Sequence, residues 1–213
     1  MKRRNLLITA AGAGTALLAS GTAYAAHRGW IPRPWETKVM LPAGQNNPSI
    51  AGGVAMGEAV PQYISSGLGP DALNPAAPAG TPERYTDPAL TAGATGVTVT
   101  EAQALVVLGK ISANLAAAGL TASDVVTMKC YLMKPPGAAL ADYAGWNRAY
   151  RQFYANVDLA SGAVVDVPMG TSAPKPPLAV NKARPARATL EVTSLAVPGW
   201  LVEVEVSAVY TRR

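Results

Sequence analysis

The strongest pattern along the chain is a strict alternation near its end, in Leu201–Tyr210. Val202, Val204, Val206 and Ala208 fall on one side of an extended chain, and Glu203, Glu205 and Ser207 fall on the other. This alternation predicts a β-strand with one buried face. A second strand is predicted just before it, at Ala186–Thr193, and we expect the two strands to pair antiparallel across the short turn between them.

A long helix is predicted upstream, because apolar residues recur at helical spacing at Leu108, Ile111, Leu115 and Ala118. Thr98 and Glu101 have the spacing of a capping box, in which each side chain accepts from the other residue's backbone N–H group. Gly119 stands where a C-terminal cap is expected.

A second helix is predicted from about Leu140 to Tyr154. Its apolar stripe comprises Leu140, Tyr143, Ala144, Tyr150 and Tyr154, and it includes the polar Asn147. A polar side chain on such a face is either a structural asparagine bonded to backbone or part of a site, and the pattern leaves both open.

The remaining elements are shorter. We expect a β-hairpin over Val54–Ser66, with Gln62–Ser66 as its second strand, and another strand over Asp124–Leu132. Two long Pro/Gly-rich segments, 67–97 and 155–185, interrupt the pattern, and loops of this length are usually functional or locally disordered. The predicted organisation is an extended arm over residues 26–49 and a single α+β domain over residues 50–213.

Residues 1–25 have the order of a signal peptide. Lys2, Arg3 and Arg4 precede an uncharged apolar stretch, and Ala23-Tyr24-Ala25 predicts cleavage before Ala26. The arginine pair resembles a twin-arginine signal. We therefore expect a periplasmic or secreted protein without stable membrane association after cleavage. The alternative is an uncleaved anchor, since the apolar stretch is just long enough to span a bilayer.

Composition narrows the possible chemistry. Hydrophobic residues make up 49% of the 213 residues and charged residues 15%, which is typical of a folded chain. Removing the three positive charges of the signal peptide lowers the net charge from +5 to +2, which argues against nucleic-acid binding. Cys130 and His27 are the only cysteine and histidine, which excludes an intramolecular disulfide and argues against a serine-histidine-aspartate triad and a histidine-rich metal site.

One arrangement of charged residues suggests a reaction. Arg187 begins one predicted strand, and Glu203 and Glu205 lie on the next, so antiparallel pairing would bring a guanidinium group close to a carboxylate. Arginine binds a carboxylate through a bidentate fork, and a nearby glutamate can orient or deprotonate water. The combination suits hydrolysis of a small amino-acid-derived carboxylate. Alternating glutamates are equally typical of a solvated strand face.

Four segments resemble the Rid (YjgF) family. Ala186–Val192 followed by Leu201–Val206 is similar to its closing P-A-R and I-E-I-E-A signature, and residues 142–150 resemble its second helix with Asn147 in place. The segment from Gly119 into the following strand matches the part between the helices. Ile64–Gly67 resembles the strand end that supplies an active-site serine. The resemblance covers roughly residues 50–66 and 98–210.

This resemblance implies a mixed β-sheet with two helices packed on one face, the chorismate-mutase-like fold, assembled as a homotrimeric barrel with sites between subunits. It implies that Arg187 binds the substrate carboxylate, that Glu203 positions water, and that Ser66, Asn147 and Thr189 contribute to the pocket. The implied reaction is that of a 2-iminobutanoate/2-iminopropanoate deaminase. Enamine or imine intermediates are hydrolysed to 2-oxo acids and ammonia without metal or organic cofactor.

Two departures from the family pattern concern the substrate. The tyrosine that many members carry in the first strands is absent, since Ile50–Gly53 offers no tyrosine there, and the segments 67–97 and 155–185 could form a lid. The missing tyrosine favours a first alternative, a non-catalytic periplasmic binder of small carboxylate metabolites on the same fold. A second alternative is an endoribonuclease, against which the low charge and the export signal argue.

Overall fold

The computed structural model describes residues 31–93 and 95–210, so the expected signal peptide lies outside the described residues. Six strands are present among them: β1 Thr37–Met40, β2 Gly53–Met56, β3 Gln62–Ile64, β4 Val125–Met133, β5 Ala186–Val192 and β6 Val202–Val209. Two longer helices, α1 Val99–Ala117 and α2 Tyr143–Arg151, accompany short helical turns at Pro82–Tyr85, Pro88–Thr91 and Ala122–Asp124.

The main sheet is mixed and has the strand order β3-β6-β4-β5. β4 is parallel to β5 and antiparallel to β6, so it lies between them. The expected direct pairing of β5 with β6 is therefore wrong. A parallel pair needs a long crossover connection. α2 and the segment 155–185 together supply that crossover between β4 and β5, which leaves β6 to pair with the other edge of β4.

The expected hairpin over Val54–Ser66 is also wrong. β2 pairs instead with β1, so the arm contributes a strand, and β3 pairs antiparallel with β6. After β2 the chain stays beside the arm, because Gly57 N donates to Glu36 O at 2.8 Å and Ala59 N donates to Pro34 O at 2.8 Å. These contacts lead the chain away from β2 and bring β3 to the edge of the main sheet.

α1 forms as the apolar periodicity predicts. Thr98 Oγ1 accepts from Glu101 N at 3.1 Å, and Gly119 follows the helix with a φ of +74°. The second half of the predicted capping box does not form. The Glu101 side chain turns inward to Arg148 and to the backbone N–H group of Gly170, because a buried carboxylate gains more from a cation than from a solvent-exposed helix end.

α2 has a different buried face from the predicted one. It begins at Tyr143, where the N-cap Asp142 accepts from Gly145 N at 2.7 Å. Its phase is set by Trp146, the largest fully buried side chain, and burial continues through Ala149, Tyr150, Phe153 and Tyr154. Leu140, Tyr143, Ala144 and Asn147 are exposed, so the predicted stripe is wrong at these positions.

Both helices lie on one face of the sheet and form the core with it. Met128, Cys130 and Leu132 of β4 point into this core, together with the valines of β6. The architecture is α+β with a mixed sheet and two helices on one face, as predicted.

The other face of the sheet is more polar than expected. Its side chains include Lys129, Tyr131, Glu203 and Glu205, with Leu190 at the β5 edge. Lys129 Nζ lies 3.3 Å from Glu205 Oε2, and Tyr131 Oη lies 3.4 Å from Glu205 Oε1. Val202, Val204 and Val206 of β6 face the helices, whereas Val209 packs with Val60 and Val126 in a separate cluster.

The segment 155–185 is attached to the helices through buried polar side chains. Gln152 Oε1 accepts from Leu178 N at 3.2 Å, and Asn156 Oδ1 accepts from Asn181 N at 2.7 Å. Within the segment, Asn156 Nδ2 donates to Ala179 O at 2.8 Å, and it also donates to Arg151 O at the end of α2 at 3.0 Å. Each of these bonds satisfies a buried polar group, so the segment is held as a wall beside α2. In the described part of the chain, no helix is long and apolar enough to cross a membrane.

Candidate functional site

Arg187 lies at the start of β5 on the helix-facing side of the sheet. Its guanidinium carbon lies 4.3 Å from the centre of the Tyr150 ring and 5.8 Å from that of Trp146. Nη2 donates to Asn147 Oδ1 at 2.7 Å. α2 therefore orients this arginine by stacking on one side and by a hydrogen bond on the other.

Within the described residues, Arg187 has no carboxylate partner. The ion pairs there involve Glu36, Asp71, Glu101 and Glu205, each with a different cation. Burial lowers the pKa of the Arg187 guanidinium, and Nη1 is buried with no acceptor in the described structure. An arginine that is partly desolvated without a counter-charge is a ready binding group for an anion.

Asn147 and Thr189 accompany Arg187. The exposed Asn147 bonds to a side chain rather than to backbone, so it serves the arginine and not a helix end. Thr189 lies two residues after Arg187 and so on the same face of β5, and its Oγ1 is buried without a partner among the described residues. The structure thus brings together three of the five predicted site residues.

Glu203 and Ser66 lie elsewhere. Arg187 is in register with Met128, whereas Glu203 is in register with Tyr131, three residues further along β4. Because side chains alternate along a strand, Arg187 and Glu203 point to opposite faces of the sheet. The expected approach of Arg187 to Glu203 or Glu205 within one chain is therefore wrong.

Glu203 is close to the strand end that carries Ser66. Ser65 N donates to Val206 O at 3.0 Å, and Ser65 Oγ accepts from Val206 N at 2.9 Å, which aligns the exposed Ser66 with β6. A Cβ atom added to Gly67 would lie 2.1 Å from Glu203 Oε1. Glycine at this position therefore lets the carboxylate approach the chain directly after Ser66.

The predicted residues form two groups. One contains Arg187, Asn147 and Thr189 at the β5 edge on the helix-facing side, and the other contains Ser66 and Glu203 on the open face near β3. The first group can bind a carboxylate, and the second presents a carboxylate and a hydroxyl group. Neither group alone combines an anion-binding arginine with a water-orienting glutamate.

Sequence reasoning missed the role of the aromatic residues and of one ion pair. Trp146, Tyr150 and Tyr154 repeat every four residues from α2 into the turn after it, and this spacing was the available signal for a stacked aromatic row. Tyr150 and Tyr154 stack at 5.3 Å, and the Tyr150 hydroxyl donates to Ser49 O at 2.8 Å. The row gives Arg187 a fixed surface.

The missed ion pair joins Glu101 of α1 to Arg148 of α2. Glu101 Oε2 accepts from Arg148 Nε at 2.9 Å and from Nη2 at 2.7 Å. Oε1 accepts from Gly170 N at 2.8 Å. The Glu101 side chain is fully buried, and its bonds hold α1, α2 and the segment 155–185 together next to Asn147.

Cys130 is a buried core residue of β4. Burial raises the pKa of the Cys130 thiol well above its usual range, and the side chain is in the core. Residues 31–93 and 95–210 contain no group of three or more His, Cys, Asp or Glu side chains placed to hold a metal ion.

The model of the endoribonuclease L-PSP family matches residues 88–210, which is more than half of the chain. The chain belongs to this family. The match supports the resemblance to the Rid (YjgF) proteins and includes Asn147, Arg187, Thr189 and Glu203, whereas Ser66 precedes the matched range. No curated protein matches the chain significantly.

Solved structures of family members align at low similarity. A YjgF-family protein from Neisseria meningitidis is 19% identical, with 85% of this chain and 100% of that chain covered and a TM-score of 0.41. A Rid-family protein of unknown function from Yersinia pestis is 20% identical, with 82% and 98% covered and a TM-score of 0.46. TdcF from E. coli, solved with bound serine, is 21% identical, with 70% and 80% covered and a TM-score of 0.40.

Proposed function

We propose that this protein hydrolyses small enamine or imine derivatives of 2-amino acids to 2-oxo acids and ammonia. The observation that carries the proposal is the Arg187 guanidinium group, which is stacked on Tyr150, held by Asn147 and unpaired with any carboxylate of the described residues. The bond to Asn147 uses one donor of the guanidinium group, so its other N–H donors are available for a substrate carboxylate. The imine carbon is already electrophilic, so the protein needs to orient only the acid and a water molecule.

The water-orienting group in this proposal comes from a neighbouring subunit. Glu203 and Arg187 of one chain point to opposite faces of the sheet, so one chain alone lacks a complete site. In a homotrimer, which the family resemblance suggests, Glu203 and Ser66 of one subunit could face Arg187 of the next. The polar open face, with Lys129, Tyr131 and Glu205, is compatible with such an interface.

Ammonia release from freshly generated 2-iminobutanoate tests the reaction. Arg187→Lys should lose roughly ten- to a hundred-fold in affinity for the 2-oxo acid product, since a point charge cannot replace the planar fork. Glu203→Gln should bind the product almost normally and lose turnover. Exposed Arg33→Lys is the matched control and should change neither quantity.

Mixed assemblies test the shared site. Arg187→Ala and Glu203→Gln should each be inactive alone, but trimers reassembled from both variants should regain part of the wild-type rate. Recovery is expected where an intact Arg187 meets an intact Glu203 across an interface. Reassembled mixed trimers without recovery contradict the shared site.

A non-catalytic carboxylate-binding protein is the second candidate, and it is favoured by the separation of Arg187 from Glu203 within the chain. It predicts product binding that depends on Arg187 without ammonia release by the wild type. The family name also suggests RNA cleavage. Salt-sensitive cleavage of RNA that persists in Arg187→Lys would select that activity instead.

A further inference from the structure

A cavity of about 290 Å³ lies next to the cluster of Arg187, Asn147 and Thr189, and the proposed reaction gives it no role. Its walls are α2, through Asn147, Arg148 and Arg151, and the segment 155–185, through Asp166, Val167 and Pro168. Asn147 belongs both to this cavity and to the Arg187 group. The cavity is therefore where the side chain of a bound amino-acid derivative could extend.

The two arginines of the cavity differ in their electrostatic state. Arg148 is neutralised by the buried Glu101 carboxylate at 2.7 Å. Arg151 has no ion pair with a described residue, and its Nε is buried without an acceptor among them. Arg151 is consequently the uncompensated cation of this cavity.

The surroundings of Arg151 are positively charged. Burial raises the pKa of Tyr150 to about 12, and Arg187, Arg184 and Arg151 each act to lower it, so the positive charges of all three guanidinium groups act on this residue. The pKa of Arg184 is lowered by burial and further by Arg151. Arg184 donates to carbonyl groups and to Asn47 Oδ1, which are neutral acceptors, and Asp158 offsets its charge only in part. The positive potential here favours an anion.

The spacing suits a ligand with two carboxylates. Asn147 and Arg151 are four residues apart on α2, which places them on the same side of the helix with a rise of about 6 Å between them. Arg187 is fixed at the Asn147 end, 2.7 Å from its side-chain oxygen. We propose that Arg151 is a specificity residue that binds a second carboxylate, so that the preferred substrates are 2-imino dicarboxylates; this inference rests on the proposed function.

Asp166 is the one carboxylate of the cavity wall, and it is exposed. A solvated carboxylate at the rim repels an anion less than the partly buried Arg151 attracts it, because water screens the exposed charge. The competing inference is that Asp166 selects a cationic side chain. If Arg151 selects a dicarboxylate, Asp166→Asn should leave the affinity for the preferred ligand unchanged or raise it. If Asp166 selects a cationic side chain, Asp166→Asn should lower the affinity for the preferred ligand.

Calorimetric titration with stable 2-oxo acid products tests the proposal. The wild type should bind 2-oxoglutarate roughly ten-fold or more tightly than 2-oxobutanoate, because it gains one charge-assisted contact. Arg151→Met should remove this preference and leave 2-oxobutanoate binding unchanged. Arg151→Lys, which keeps the charge, should retain part of it, and Arg33→Met is the matched control. Asp166→Asn should leave the preference for 2-oxoglutarate over 2-oxobutanoate unchanged or increase it.

Several outcomes overturn the inference. Equal affinity of the wild type for both acids, or an equal loss of both in Arg151→Met, refutes a role for Arg151 in selection while leaving the proposed reaction intact. Preference for 5-guanidino-2-oxopentanoate that disappears in Asp166→Asn selects the cationic alternative. Failure of the wild type to bind any of these acids refutes the proposed function as well.

Discussion

Glu101→Gln is the substitution for which the structure predicts the largest loss of stability with the least change of shape. The Glu101 carboxylate is fully buried, and both of its oxygens only accept: Oε2 from two nitrogens of Arg148 and Oε1 from Gly170 N. Glutamine has one accepting oxygen and one donating NH2 group. Whichever way the amide is turned, its NH2 group faces a donor.

The magnitude follows from the loss of the buried counter-charge. Breaking a buried ion pair by removing one partner costs about 3–5 kcal/mol. Arg148 keeps a quarter of its side-chain exposure and can be partly hydrated, so we expect the lower end, about 3 kcal/mol. For a protein of this length, that corresponds to a fall in the melting temperature of roughly 6–12 °C.

Urea unfolding at fixed protein concentration measures the loss, with exposed Glu58→Gln as the control. A double-mutant cycle with Arg148→Met isolates the pairwise contribution, and we expect a coupling of about 2 kcal/mol or more. Additive effects of the two substitutions, or a loss in Glu101→Gln below about 1 kcal/mol, would refute the reasoning. Because Gly170 is released at the same time, the segment 155–185 should also become more sensitive to limited proteolysis.

Four further predictions follow from particular contacts. Burial raises the pKa of Cys130 and Tyr154, so the folded state keeps protons that the unfolded state releases. The free energy of unfolding should therefore fall as the pH rises above about 9 for Cys130 and above about 10 for Tyr154, by about 1.4 kcal/mol per pH unit and group. Urea unfolding at several pH values should show this slope reduced in Cys130→Ala. Gly67→Ala should displace the Glu203 carboxylate. The rate of ammonia release should then fall strongly, while the melting temperature measured by calorimetry should change little. Light scattering should give a homotrimer, and a stable monomer at micromolar concentration would reject the shared site. Mass spectrometry of the exported protein should give an N-terminus at or near Ala26, whereas a full-length membrane-bound form would reject cleavage.

Local interactions explain which parts of the fold could be predicted from the sequence. The first half of the α1 cap and the glycine that ends this helix depend on neighbouring residues, and both form as expected. The alternation of β6 also predicts its buried face correctly. These features are determined within one turn of helix or one strand, where the sequence pattern is sufficient.

Strand neighbours were not predictable in the same way. The alternation of β6 says which side is buried but not which strand is adjacent, and β4 lies between β5 and β6. Because β4 separates β5 from β6, Glu203 does not lie next to Arg187 as the sequence had suggested. The stripe of α2 was misjudged for a related reason, since tertiary packing of Trp146 sets the helix phase and leaves Asn147 at the surface. Asn147 therefore lies on a different face of α2 from the predicted one, where it bonds to Arg187 and stays a site candidate.

Burial and pairing divide the arginines around α2 into one structural cation and two that we propose bind anions. Arg148 has a buried carboxylate at 2.7 Å, and its contact joins two helices and a wall segment. Arg187 and Arg151 are partly desolvated as well, yet neither has a carboxylate partner among the described residues. Desolvating a cation without a counter-charge lowers stability, whereas the same positive potential lowers the free energy of a bound anion. Replacing Arg148 should therefore mainly reduce stability. Replacing Arg187 by an uncharged residue should reduce the affinity for 2-oxo acids, and replacing Arg151 should reduce only the affinity for dicarboxylates, both with little loss, or even a gain, of stability.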